Sequence, residues 1–188
     1  LSGARNAGIA AARGDVVAFL DDDATPEPDG LALLIDAYSA PEVRATGGSA
    51  RPRWPVARPT HLPHVLDWVV GCTYQGQPES RADVRNLMGC NMSFRRDVFD
   101  RVGGFDENAG RIGLLPLGCE ETELCIRLGQ QLPGSRIVFE PAAVVNHRVT
   151  PARTTWAYLR ERAYSEGISK AAISRLVGSG AATETERS

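Results

Sequence analysis

The chain has 188 residues, 43% hydrophobic and 23% charged, with a formal net charge of −2. That length suits one domain, and that composition suits a folded core. The small net charge argues against a nucleic-acid binder working by bulk attraction, and no apolar run reaches the roughly 18 residues needed to span a bilayer. The four cysteines (Cys72, Cys90, Cys119 and Cys125) form no C-x-x-C pair, and neither His61 nor His64 stands near one. This pattern speaks against a zinc site or a disulfide scaffold and for reduced, partly buried thiols in the cytosol. The basic residues are nearly all arginine, with Lys170 the only lysine. Arginine suits planar contacts to phosphate and carboxylate, although genomic base composition is the plainer account.

In chain order, "GARNAGIAAARG" reads as a helix closed by Gly14. "DVVAFL" follows as a short strand without polar alternation, which predicts burial on both faces as in a parallel sheet. "PDGLALLIDAYSA" places Leu31, Leu34, Ile35 and Tyr38 at helical spacing behind an Asp29 cap, and "VRATGGSARP" reads as a strand. From Arg51 to Arg85 the chain is Pro-rich and irregular, with "HVLDWVV" as a short helix or strand inside it. Long insertions of this kind are often functional loops. A strand over Leu87–Phe94, a short helix from Arg95 and a turn at "GGFDE" come next. "GCEETELCIRLGQQ" reads as a helix, "RIVFEPAAVVNH" as a strand broken at Pro141, and "TTWAYLRERAYSEGISKAAISRLVG" as a long helix with Gly167 as a weak point. The expected organisation is one α/β unit over 1–178 and a polar, frayed tail over 179–188.

The chemistry starts at "FLDDDATPEP", where three carboxylates stand in a row behind an apolar strand. Extended backbone puts Asp21 and Asp23 on one side and turns Asp22 away. Two carboxylates at the carboxyl end of a strand suit a hard cation such as Mg²⁺ or Mn²⁺, completed by substrate phosphates. A solvated turn is the plainer alternative. Glu120 and Glu121 open a helix, where acids also favour the helix dipole. His147 ends an apolar strand, a place where a histidine more often serves as a structural hydrogen-bonder.

"GARNAGIAAARGDVVAFLDDDATPEP", "GCNMSFRRDVFDRVGGFDE", "GCEETELCIR" and "VVNH" stand in the order and spacing of family 2 glycosyltransferases, which the chain resembles over nearly its whole length. The resemblance implies a GT-A type, Rossmann-like fold, with a mixed, mainly parallel sheet flanked by helices. It also implies a metal-dependent, inverting transfer from a UDP- or similarly linked sugar to a hydroxyl acceptor. By position, Asp21 and Asp23 match the D-x-D acids: Asp23 with Asp21 for the metal, Asp21 and Asp22 beside the nucleotide. Glu121 matches the catalytic base, with Glu in place of the more common Asp and Glu120 as its alternative. His147 matches a further metal ligand, which would favour Mn²⁺ over Mg²⁺. Arg5 and Asn6 become candidates for the nucleotide or pyrophosphate, and Asn91 and Arg95 for the acceptor sugar. The positive partner of the acidic triplet would then be a cation arriving with the donor.

"WVVGCTYQG" and "SKAA" are similar to bacterial and archaeal members that act on lipid-linked or exopolysaccharide acceptors, in polysaccharide and cell-envelope synthesis. The aromatic and basic C-terminal helix is compatible with contact to an anionic membrane surface, although packing on the sheet is the simpler expectation. A cytoplasmic protein, with the inner face of the plasma membrane as an option, fits both. The first strand and helix that hold the nucleotide base in the family have no match here, so the chain reads as the later part of a catalytic domain, with no nucleic acid among its partners. The alternatives are a nucleotidyltransferase, distinguished by release of pyrophosphate, and a non-catalytic sugar- or partner-binding remnant.

Overall fold

A computed structural model describes residues 1–108, 118–178 and 181. The tail expected over 179–188 lies outside these residues except for Ala181. Helix α1 (Ser2–Ala11) runs into β1 (Val16–Leu20), and the acidic loop leads to β2 (Ala24–Pro26) and α2 (Gly30–Asp36). The chain continues through β3 (Val43–Arg53), a 3-10 helix (His64–Val70), β4 (Ala82–Asp83), β5 (Asn91–Arg95) and α3 (Arg96–Val102). It ends with α4 (Glu120–Gln131), β6 (Arg136–Arg148), a 3-10 turn (Pro151–Thr154) and α5 (Trp156–Val177).

The strands form one sheet in the order β1-β5-β3-β6-β2, with β4 also paired to β6. The α/β class holds, but strand direction is corrected. β3 and β6 run parallel, whereas β1–β5, β3–β5, β2–β6 and β4–β6 are antiparallel. Alternation of helix and strand in a sequence suggests crossovers without fixing the direction of return. The double burial expected of β1 is also corrected. Val17 is buried, but Ala18 and Leu20 are exposed, Leu20 by 50%. β1 is an edge strand with one packed face.

That packed face meets a core in which Phe19, Phe94, Phe99 and Phe105 gather, ring centroids 5.4–6.5 Å apart, largely edge to face or tilted. Such geometry adds to plain apolar burial. Val98 and Val102 from α3 and Leu124 and Leu128 from α4 close this core. The first helix stops earlier than its sequence suggests. Ala12 is already extended, so Gly14 is not its cap. Asp29 stands at the N-cap of α2 without a side-chain cap bond, and Leu31 and Ile35 are exposed while Leu34 is buried. α5 runs through Gly167 without a break, and packs Ile173 and Val177 against Cys119 and Ile126.

Pro141 does not end β6. The register passes from Gly48 opposite Glu140 to Ser49 opposite Val144, so Pro141, Ala142 and Ala143 bulge out. Three neighbours hold the bulge. Asn91 Nδ2 donates to Ala143 O at 2.8 Å and to Ser49 O at 3.0 Å. Ser49 Oγ donates to Pro141 O at 2.8 Å. Gly48 lies so close that a Cβ there would overlap Ala143 O, which is backbone and cannot swing aside. Gly48→Ala is therefore expected to destabilise the fold by about 1–3 kcal/mol through overpacking. Urea unfolding checks this; an unchanged midpoint would show that the bulge yields freely.

Candidate active site

Four separate segments converge on one cleft of about 1470 Å³. The turn after β1 brings Asp21, Asp22 and Asp23; the start of α4 brings Glu120 and Glu121; the end of β6 brings His147; and α1 brings Arg5. This is the carboxyl end of β1 and β6, where ligands bind in open α/β sheets. Asp21 and Asp23 are partly buried and Asp22 is exposed, in a turn closed by Ala24 N donating to Asp21 O at 3.0 Å rather than in extended backbone.

The triplet has protein-borne counter-ions, contrary to the expectation that its positive partner arrives only with a ligand. Arg5 Nη2 lies 3.3 Å from Asp21 Oδ1. Arg153 Nη1 lies 3.3 Å from Asp23 Oδ2; His147 Nε2, 3.2 Å from Asp23 Oδ1, adds a hydrogen bond rather than a charge. Arg153 is 130 residues away from Asp23 in the chain, so local sequence could not reveal it.

Arg5 is only 7% exposed and donates to Glu120 Oε1 at 2.8 Å and to Gly89 O at 3.2 Å. Its guanidinium also lies 5.3 Å from the Phe105 ring centre. Its charge is thus committed inside the protein. Glu120 is buried in that pair, whereas no side chain among the described residues bonds the Glu121 carboxylate, which lines the cleft. Burial first, and Glu120 second, push the Glu121 carboxyl up to about 8, with Arg5 pulling it back. A group poised there suits proton abstraction near neutral pH. The helix start is strained as well. Cys119, the residue before Glu120, has φ of 71°, the left-handed region that side chains disfavour.

His147 is 3% exposed, and burial lowers its pKa, leaving a neutral imidazole. Each ring nitrogen has a neighbour: Asp23 for Nε2, and Cys72 Sγ at 3.7 Å for Nδ1.

Three expected site residues are not in the cleft. Asn6 bonds Phe105 and Glu107 across the α1–turn contact. Asn91 is spent on the bulge carbonyls, a structural use rather than a sugar contact. Arg95 sits at the far end of β5 and donates to Val43 O and Tyr38 O. Strand rise alone carries it roughly 13 Å from Asn91.

Sequence reasoning missed other residues that do line the cleft: Trp68 from the 3-10 helix, Tyr74, Arg153, and Tyr158 and Arg162 from α5. The Pro-rich insertion is the part expected to be a functional loop. Its Arg58 holds Asp67 at 2.7 Å, and its 3-10 helix presents Trp68 to Arg162, 6.0 Å from ring centre to guanidinium.

Residues 1–103 match the family model described as Glycosyl transferase family 2. The chain belongs to that family. Among curated relatives, this family 2 chain is 40% identical over 177 residues to the glucosyl-dolichyl phosphate glucuronosyltransferase of Haloferax volcanii, a match covering 94% of this chain and 56% of that protein. It is 29% identical over 174 residues to the succinoglycan biosynthesis protein ExoM of Rhizobium meliloti, covering 89% and 50%. The chain therefore spans about half the length of these relatives. In fold it is similar to GalNAc-T7, solved with UDP, GalNAc and Mn²⁺. The TM-score is 0.57 at 18% identity, over 79% of this chain and 30% of that one.

Proposed function

We propose that this chain carries the diphosphate-side and base-side residues of an inverting glycosyltransferase, which moves a sugar from a nucleotide-linked donor, UDP-linked in our reading, to a hydroxyl of a saccharide or lipid-linked acceptor. The observation that carries the reading is the meeting of Asp21, Asp23, Glu121 and His147 on one cleft from three distant segments. Glu121 takes the proton from the acceptor hydroxyl as that oxygen bonds the anomeric carbon. The bond from that carbon to the diphosphate oxygen breaks on the opposite side, and its electron pair leaves with the nucleoside diphosphate. Arg5 holds Asp21 and Glu120 in place and leaves Glu121 directed at the cleft.

A carboxylate beside a neutral imidazole fits Mn²⁺ or Mg²⁺, ions that accept one or two protein ligands and fill the rest of their shell with water and phosphate oxygens. Among the described residues no group of three or more His, Cys, Asp and Glu is gathered to hold such an ion alone. Asp23 and His147 would hold it. When bound, the ion would stabilise negative charge on the leaving diphosphate.

The lipid-linked acceptor is supported by the name of the archaeal relative. No helix among the described residues is long and apolar enough to cross a membrane. The membrane-surface reading rests on α5 instead, where Trp156, Tyr164, Ile168 and Leu176 are exposed beside arginines. A cytoplasmic enzyme working at the inner membrane face is consistent with both.

The test is a donor screen on the full-length gene product with Mn²⁺, scoring the phosphate product. Nucleoside diphosphate release supports the reading, and release of inorganic pyrophosphate instead would transfer the chain to the nucleotidyltransferases. Asp23→Ala should weaken Mn²⁺ binding by at least about tenfold, since it removes the charged half of the ligand pair; unchanged Mn²⁺ binding would remove Asp23 from the metal site.

A further inference from the structure

The Asp23 carboxylate has both oxygens engaged: Oδ1 by His147 Nε2 at 3.2 Å and Oδ2 by Arg153 Nη1 at 3.3 Å. Asp23 is only 15% exposed and Arg153 23%, so water screens this pair weakly. Arg153 stands in the 3-10 turn Pro151–Thr154, just beyond β6. The strand end is tied to the acidic loop, because Arg148 N donates to Asp23 O at 2.7 Å. The turn is closed by Arg153 N donating to Thr150 O at 3.0 Å. The guanidinium can therefore move on its own side chain while its backbone stays beside the cleft.

A divalent ion entering between Asp23 and His147 meets this resident positive charge. It takes Oδ1 of a carboxylate whose charge Arg153 already shares through Oδ2, and it then lies a few ångströms from that guanidinium. A diphosphate relieves both problems, since its oxygens can accept from the planar guanidinium fork and also complete the shell of the ion.

We propose that Arg153 is an exchangeable counter-ion: it holds Asp23 when no ligand is bound and passes to a diphosphate when the ion enters, so that divalent cation and diphosphate bind cooperatively and the ion alone binds weakly. The inference rests on Asp23 and His147 being the ion's ligands. Coupling is reciprocal, so the ion strengthens diphosphate binding by the same factor that the diphosphate strengthens ion binding.

The experiment is a Mn²⁺ titration followed by electron paramagnetic resonance, with inorganic pyrophosphate, UDP or sulfate present or absent, on wild type, Arg153→Ala, Arg153→Lys and Asp23→Ala. Thermal melts establish that each variant is folded. In wild type, pyrophosphate and UDP should tighten Mn²⁺ binding by at least about tenfold, within the usual range of coupling, and sulfate should not. Arg153→Ala should bind Mn²⁺ alone about fivefold more tightly and lose most of the diphosphate enhancement. Arg153→Lys should keep part of it. If Arg153→Ala binds Mn²⁺ no better than wild type and keeps the full enhancement, the exchange is wrong although the metal site stands. If Asp23→Ala binds Mn²⁺ like wild type, the metal-site reading itself is wrong, and a wild type that binds no Mn²⁺ under any condition overturns both.

Discussion

Glu121→Gln is expected to lower the rate of sugar transfer by about 10²–10⁴-fold, the range that a positioned general base contributes. The amide keeps the size of the side chain and its place on the cleft but cannot accept the proton of the acceptor hydroxyl. Substrate binding should change little, so the loss should appear in kcat rather than KM. Glu121→Asp should retain part of the activity, because a shorter carboxylate still accepts the proton. A Glu121→Gln enzyme with wild-type kcat would show that the base lies elsewhere.

The same residue gives a pH dependence of defined sign. The Glu121 carboxyl lies at about 8 in the fold, against an ordinary value of 4.5. Base catalysis needs the ionised form, so kcat should climb with pH and level off above about 8. Stability should follow the opposite course. A carboxyl whose value is raised by folding binds its proton more tightly in the native state. Its contribution is full below about 4.5 and is lost as pH rises through about 8. The difference in unfolding free energy between wild type and Glu121→Gln should therefore move against wild type across that interval. A difference that stays flat with pH would mean that the carboxyl is not perturbed.

Arg5→Met is expected to destabilise the fold by about 3–5 kcal/mol, a large part of the 5–15 kcal/mol that typically separates a folded domain from its unfolded chain. Arg5 is the buried cation between Asp21, Glu120 and the Gly89 carbonyl. Methionine fills much of its volume but leaves Glu120 charged and unpaired beside Glu121. Most of the loss is the penalty of that orphaned charge rather than the worth of the pair. Adding Glu120→Gln to Arg5→Met should therefore recover a substantial share of the stability. Urea unfolding of the two single variants and the double variant measures this directly. Additive losses in that cycle would contradict a coupled Arg5–Glu120 pair.

Much of the site was legible because its acids carry their own context. Asp21 and Asp23 follow a strand, Glu121 opens a helix and His147 closes a strand, and each of those junctions falls where the sequence places it. What stayed hidden depends on which face a residue presents and on what crosses over to meet it. Asn91 and Arg95 stand beside motif residues in the chain, yet the pleat and the rise of β5 direct one to the bulge and carry the other to the opposite end of the sheet. Apolar Ala18 and Leu20 gave β1 the look of a strand covered on both sides, although hydrophobicity alone does not guarantee a cover. Arg153 reaches Asp23 only after the whole sheet has folded. The neutralisation of the acidic loop is therefore a tertiary property without a local signature.

The three extra residues of β6 fix the parity of everything after them. Side chains on a strand alternate with a period of two, so losing or gaining one residue among Pro141, Ala142 and Ala143 would exchange inside for outside along the last stretch of the strand. Asn146 would turn inward and His147 outward. The imidazole beside Asp23 therefore depends on the length of this bulge, and Gly48 and Asn91 act as the gauge that keeps the count.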